Sequence, residues 1–152
     1  MLRISKFDSK FEFDNCPAPT LFEDKSSNRA FAMLANEAIG FKISWASDMI
    51  VPDIKVLGGY IYCIGIDQKF CILDAINGEL YVDLDLSYLY LQTYVNSNYA
   101  FVITEMEVLK FGKLSFELLE KYDFPDLIES AEFAETTAII RCFGGTCIEI
   151  AL

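Results

Sequence analysis

From Lys55 onward, apolar and polar positions exchange at short range, and the apolar ones are mostly Ile, Val, Leu, Tyr and Phe. The runs Tyr60–Ile66, Lys69–Leu73, Glu79–Leu86, Tyr88–Val95, Tyr99–Thr104 and Thr136–Cys142 have strand length and are broken by turn residues, which predicts an antiparallel meander. Alternation is clearest in Leu80, Val82, Leu84 and Leu86 against Tyr81, Asp83, Asp85 and Ser87. One face of that strand therefore meets a core and the other meets water. Asn77-Gly78 predicts a hairpin with a type I′ turn, because both central residues of that turn need positive φ. Gly58-Gly59, Asn96-Ser97-Asn98 and Gly144-Gly145 punctuate the other strands.

Before Lys55 the pattern changes. Ala30–Ile39 is rich in good helix formers, with Ser26-Ser27-Asn28 to cap it and Gly40 to stop it, so a short N-terminal helix is expected there. Asp14–Ser27, with Pro17 and Pro19, reads as an extended surface loop. Leu114–Tyr122 fits either a second short helix or a strand beginning at Lys113, and periodicity does not choose between them.

Blocks beginning at Gly59, Asn98 and Thr137 align with one another at successive spacings of 39 residues. Each holds a turn, an apolar strand, a break and a second apolar strand: Phe70–Leu73, Val108–Phe111 and Cys147–Ile150. The expected fold is a single mainly β domain over residues 1–152, an antiparallel meander of about three blade-like units. The stretch from Gly58 to Asp67, followed by Leu73, Asp74, Gly78 and Glu79, resembles a blade of the quinoprotein-type β-propeller repeat. That family's pattern is a turn, a strand, an aspartate-containing break, then Leu-Asp-x-x-x-Gly-Glu, and the match covers about one unit. The resemblance implies blade-like meanders in an open or partial arrangement.

Charge narrows the function. The 152 residues carry 12 Lys and Arg against 23 Asp and Glu, with no His, for a net −11. Residues 1–69 hold 8 basic and 9 acidic side chains, whereas residues 70–152 hold 4 and 14. No local basic stripe offers phosphate contacts, so nucleic acid is not an expected partner. Apolar runs fall far short of the roughly 18 residues of a membrane span. Met1–Lys10 lacks the uninterrupted apolar core of a secretory signal, so a cytoplasmic chain is expected. The five cysteines, Cys16, Cys63, Cys71, Cys142 and Cys147, are then expected to be free thiols.

Without His, Ser-His and Cys-His nucleophile systems are absent, and so are His-based metal hydrolases. Cys142-x4-Cys147 is half of a metal site at most, and Asp83-x-Asp85-x-Ser87 lacks the remaining ligands of a calcium loop. No Gly-rich phosphate cradle is present, so no cofactor is expected. Asp83 and Asp85 share a strand face, where a solvated surface and a carboxylate-dependent glycoside-type hydrolase are alternative readings.

The acidic run is the strongest candidate. Glu117, Glu120, Asp123, Asp126, Glu129, Glu132 and Glu135 recur at roughly every third residue against one cation, Lys121, with Phe124, Leu127, Ile128 and Phe133 between them. A solvated face is one account. The other is a docking surface for a basic protein, with Asp83 and Asp85 adding to its field and Phe124 and Phe133 as desolvated anchors. In general character the whole chain resembles the bacterial immunity proteins of contact-dependent growth inhibition and related polymorphic toxin systems. That resemblance rests on no motif. It implies a protein that binds and neutralises a cognate toxin, often a nuclease, by covering its active site or substrate groove; with no catalytic apparatus in the sequence, a non-enzymatic chain, monomeric when free, is expected. A carboxylate-dependent hydrolase and a propeller-like scaffold are the alternatives.

Overall fold

The computed structural model describes residues 1–23 and 29–152. Four sheets follow one another along the chain. The first contains β1 (Arg3–Lys6), β2 (Thr20–Phe22), β3 (Ala30–Ala35) and β4 (Gly40–Trp45) in the spatial order β1-β3-β4-β2, and helix α1 (Lys10–Asn15) connects β1 to β2. The second is a meander of β5 (Asp53–Gly58), β6 (Ile61–Ile66), β7 (Lys69–Asp74) and β8 (Leu80–Asp85). The third is a meander of β9 (Tyr90–Val95), β10 (Tyr99–Thr104), β11 (Glu107–Gly112) and β12 (Leu118–Asp123), and the fourth has β13 (Ile128–Phe133), β14 (Thr137–Cys142) and β15 (Cys147–Ala151). Neighbours pair antiparallel throughout, except β2 with β4.

The fold is therefore mainly β, and the three blade-like units are the last three sheets, whose second strands begin 38 residues apart at Ile61, Tyr99 and Thr137. Their turns repeat too. Asp74 N–H donates to Glu79 O and Gly78 N–H to Asp74 O, while Gly112 N–H donates to Glu117 O and Phe116 N–H to Gly112 O. Gly78 and Phe116 occupy the same place, and both have positive φ, 73° and 58°. The Asn77-Gly78 hairpin thus forms, but through a longer turn than the type I′ expected: φ is positive at Gly78 and not at Asn77, because Asp74 Oδ1 accepts the N–H groups of both Ile76 and Asn77 and sets the loop.

The expected helix at Ala30–Ile39 is instead β3, a turn and the approach to β4. Ala30, Ala32 and Leu34 bury one face and Phe31 and Met33 line the other, a period of two that tertiary packing imposes over helix propensity. Asn36 then closes the turn by accepting from the N–H groups of Ala38 and Ile39, as Asn96 does for Asn98 and Tyr99. The proposed cap at Ser26–Asn28 lies outside the described residues. The helix that does form, α1, is set by Ser9, whose Oγ accepts from Glu12 N–H while Glu12 Oε2 accepts from Asp8 N–H. The Asp14–Ser27 loop contains β2, and 114–122 resolves into a turn followed by β12.

Every inner sheet is two-faced. Tyr62, Ile64, Cys71 and Leu73 of the second sheet pack on Leu34, Ile43 and Trp45 of the first, while its Cys63, Phe70 and Ile72 pack on Ala100, Val102 and Phe111 of the third. Phe101, Ile103 and Val108 of the third pack on Ala138, Ile140 and Ile150 of the fourth. Each large apolar side chain taken fully out of water contributes roughly 1.5–3 kcal/mol, so the three interfaces hold the stack together. Among the described residues no core cluster joins the first sheet to the fourth. The first sheet's outer face is covered where Phe31 meets Phe13 of α1 at 5.1 Å between ring centroids; the fourth sheet's outer face, with Glu132, Arg141, Cys147 and Glu149, is exposed.

A polar tie links the inner edges of sheets two and three. Tyr90 Oη donates to Asp53 Oδ2 at 2.5 Å, Thr93 N–H donates to the same oxygen at 3.1 Å, and the Tyr90 ring lies over Gly65. A Cβ at Gly65 would overlap that ring. Gly65→Ala should therefore cost about 1–3 kcal/mol, read as a lower urea midpoint with an unchanged m-value.

Candidate functional site

Strands β8 and β12 are the outer edges of the second and third sheets, and carboxylates concentrate there. Charged side chains on an edge discourage pairing with other chains, which gives these residues a structural role as well. On β8, Val82 and Leu84 pack inward and Asp83 and Asp85 point to solvent. Asp85 pairs with Lys69 beside a cleft of about 370 Å³ between the first two sheets. The two aspartates stand in water with a lysine on one of them, the arrangement of a solvated face.

On β12, Glu120 accepts from Tyr122 Oη and from Lys110 Nζ at 3.3 Å. These bonds, the tyrosine's first, hold its carboxyl below the usual range, while burial and Glu120 together push the Tyr122 phenol up to about 12. Lys110 Nζ also lies 4.3 Å from the Tyr99 ring centroid. Lys121 bonds the buried Glu107 at 2.5 Å and reaches Asp123 at 3.5 Å, and the Glu107 bond is the main cause that holds its amine above the usual lysine value. Among the described residues, no cation comes within 4.0 Å of Asp83, Glu117, Asp126, Glu129, Glu135 or Glu149.

The acidic run does not form one face. Glu117, Glu120 and Asp123 lie along the outer edge of sheet three, Asp126 lies in the crossover, and Glu129 and Glu132 ride on β13, the opposite edge of sheet four. Glu135 sits in the β13–β14 turn. Three strands at about 4.8 Å spacing put β13 roughly 10 Å from β15. Phe124 and Phe133 are not available as anchors: Phe124 is 5% exposed in the core, and Phe133 stacks on Tyr94 at 4.2 Å with the rings 13° apart. Their places between carboxylates reflect inward positions of strand and crossover. Tyr81 is the exposed aromatic of β8, stacked on Phe116 at 4.5 Å and 10°. A positive φ on a bulky residue has no sequence signature, so nothing in the sequence marks Phe116.

Asp74 organises this end of the rim. Its carboxylate accepts from the N–H groups of Ile76 and Asn77, from Asn77 Nδ2 at 2.9 Å and from Tyr81 Oη at 3.3 Å, and its pKa is lowered, chiefly by the Ile76 and Asn77 bonds. A lowered folded-state pKa contributes stability above the unfolded value, and that contribution is lost as pH falls through the folded one. Asp74→Ala should thus lower Tm at neutral pH, with the gap to wild type closing on acidification below the normal carboxylate range.

All five cysteines are free; burial pushes the Cys63 thiol up to about 12 and Cys71 higher still, and both are inert as nucleophiles. Among the described residues no cluster of three or more Cys, Asp or Glu is arranged to hold a metal ion, and no helix is long and apolar enough to cross a membrane.

No protein-family model matches the chain, and no curated protein matches it. Among solved structures it is similar to the computationally designed Ika4 protein, with a TM-score of 0.57 and 11% identity over 86% of this chain and 88% of that one. Weaker likenesses, which carry no argument, are to the Neurospora crassa Pan2 WD40 domain (TM-score 0.45, 13% identity, 79% of this chain and 41% of that one) and to Kluyvelomyces marxianus Hsv2 (0.39, 6%, 61% and 30%). The chain thus spans less than half the length of those two. At 11% identity, the likeness to Ika4 is one of fold alone.

Proposed function

We propose that this chain is a non-enzymatic binding protein that holds a basic protein domain on its acidic edges, and that its biological form is an immunity protein that neutralises a cognate toxin. The observation that carries the reading is charge placement. The C-terminal 83 residues hold 14 carboxylates against 4 cations, and Asp83, Glu117, Glu129, Glu135 and Glu149 are exposed with no cation partner among the described residues. Such a surface attracts a cationic partner over a Debye length and orients it before contact. A carboxylate face also mimics the charge of a phosphate backbone in a nuclease groove. The test is to co-express the chain with the product of the adjoining reading frame: restored growth and a salt-sensitive complex support the reading. No complex at low salt, or turnover of a glycoside substrate by the purified chain, contradicts it.

A propeller-like scaffold is the second reading, favoured by the repetition of the blade-like sheets and by end sheets that no core cluster joins among the described residues. Light scattering separates them, because a ring-forming scaffold is an oligomer at micromolar concentration and the immunity reading expects a monomer.

A further inference from the structure

Sheets two and three end on a fourth strand, but the fourth sheet ends on β15. Cys142 N–H donates to Thr146 O and Leu152 N–H to Thr136 O, and the register sets Ile148 opposite Ile140 and Ile150 opposite Ala138. Even-numbered residues of β15 therefore bond to β14. In an antiparallel pair the alternate residues turn their backbone groups the other way, so the N–H and C=O of Cys147, Glu149 and Ala151 point outward. Among the described residues, no strand pairs with them.

This open edge borders a cleft of about 630 Å³ whose far wall is β12, with Glu120, Tyr122 and Asp123 facing Ile148 and Ile150. The edges of the other blade-like sheets are defended by charge: β8 carries Asp83 and Asp85, and β12 carries Glu120, Lys121 and Asp123. β15 reads Cys-Ile-Glu-Ile-Ala, with one charge. An undefended apolar edge is a template for strand addition.

We propose that β15 is a strand-addition site that takes an extended cationic segment of a partner protein as the fourth strand of the last sheet. The inference rests on the binding reading above and deepens it. Cross-strand neighbours share a face, so residues opposite Ile148 and Ile150 are apolar and turn toward β12, where Glu120 is already paired with Lys110, while those opposite the exposed Glu149 lie on the sheet's outer face and are basic. A second copy of this chain fits worse, since each carries −11 and self-pairing of β15 brings Glu149 toward its own copy.

The probe is the capped peptide Val-Lys-Val-Arg-Val-Lys, titrated into the full chain at low salt and followed by amide hydrogen exchange. The expected result is saturable binding, new protection at Cys147, Glu149 and Ala151, and none gained at Ile148 and Ile150, which are already bonded. Glu149→Pro removes an outward donor without touching a β14 bond and should weaken binding at least about tenfold. Glu149→Lys keeps the backbone, reverses the charge and serves if the proline variant does not fold; it should weaken binding as well. A peptide with Ser for Lys and Arg should bind more weakly. Absence of binding, protection elsewhere, equal binding by both variants, equal binding of the Ser peptide, or dimerisation through β15 each overturns the inference. If the basic toxin domain still binds with normal affinity to Glu149→Pro, the edge proposal fails while the acidic-surface reading stands; if wild type binds no basic partner, that reading fails instead.

Discussion

Reversing Asp83, Glu117 and Glu149 to Lys together should weaken the complex with the basic partner by about a hundredfold or more, mostly through slower association. The three residues lie on β8, on the β11–β12 turn and on β15, they are exposed, and among the described residues no salt bridge is lost when they change. The folded state is therefore spared, and Tm should stay within a few degrees of wild type. A rim charge contributes on the order of 1 kcal/mol to a complementary interface, and reversal replaces attraction with repulsion, so three changes exceed one power of a hundred in Kd. The wild-type complex should also weaken steeply with added salt, and the triple variant's dependence should be shallower. Surface plasmon resonance at two ionic strengths reads both.

Phe101→Ala should cost about 3–5 kcal/mol, the largest stability loss expected of a single change. Phe101 is fully buried on β10 between sheets three and four, in contact with the rings of Tyr94, Tyr99 and Phe133. With the ring gone, the fourth sheet keeps Ile140 and Ile150 against Ile103 and Val108 but loses the aromatic centre of the interface. Because β13 and β15 depend on that interface, the outer amides of sheet four should exchange faster than those of sheet two in the variant. Urea unfolding followed by Trp45 fluorescence, with hydrogen exchange alongside, measures both effects.

The last three sheets were legible because their strands obey local rules. Alternation in Leu80–Asp85, turn residues at Asn96–Asn98 and the repeat spacing all act within a few residues. The first sheet was hidden because Ala30–Ala35 is good helix material that becomes a strand only when Ile64 and Leu73 arrive against it from the next sheet. The acidic run was visible as composition, but its three-residue recurrence suggested one continuous surface; strand, crossover and strand divide it between opposite edges. Phe124 and Phe133 were misplaced for the same reason, since alternation shows that a side chain turns inward but not which sheet receives it. The openness of β15 could not be read at all, because whether a strand is an edge depends on what pairs beside it. Asp74 was matched by pattern through Leu73-Asp74, and its role as the acceptor that shapes the turn follows from the hydrogen bonds.

The most direct measurement is a hydrogen-exchange footprint of the basic partner on the full chain. Protection should gather on β8, the β11–β12 turn, β12 and the fourth sheet, where uncompensated carboxylates lie, with the first sheet unchanged. Protection confined to β1, α1 and the outer face of the first sheet, at an ionic strength where the complex is saturated, would contradict the account.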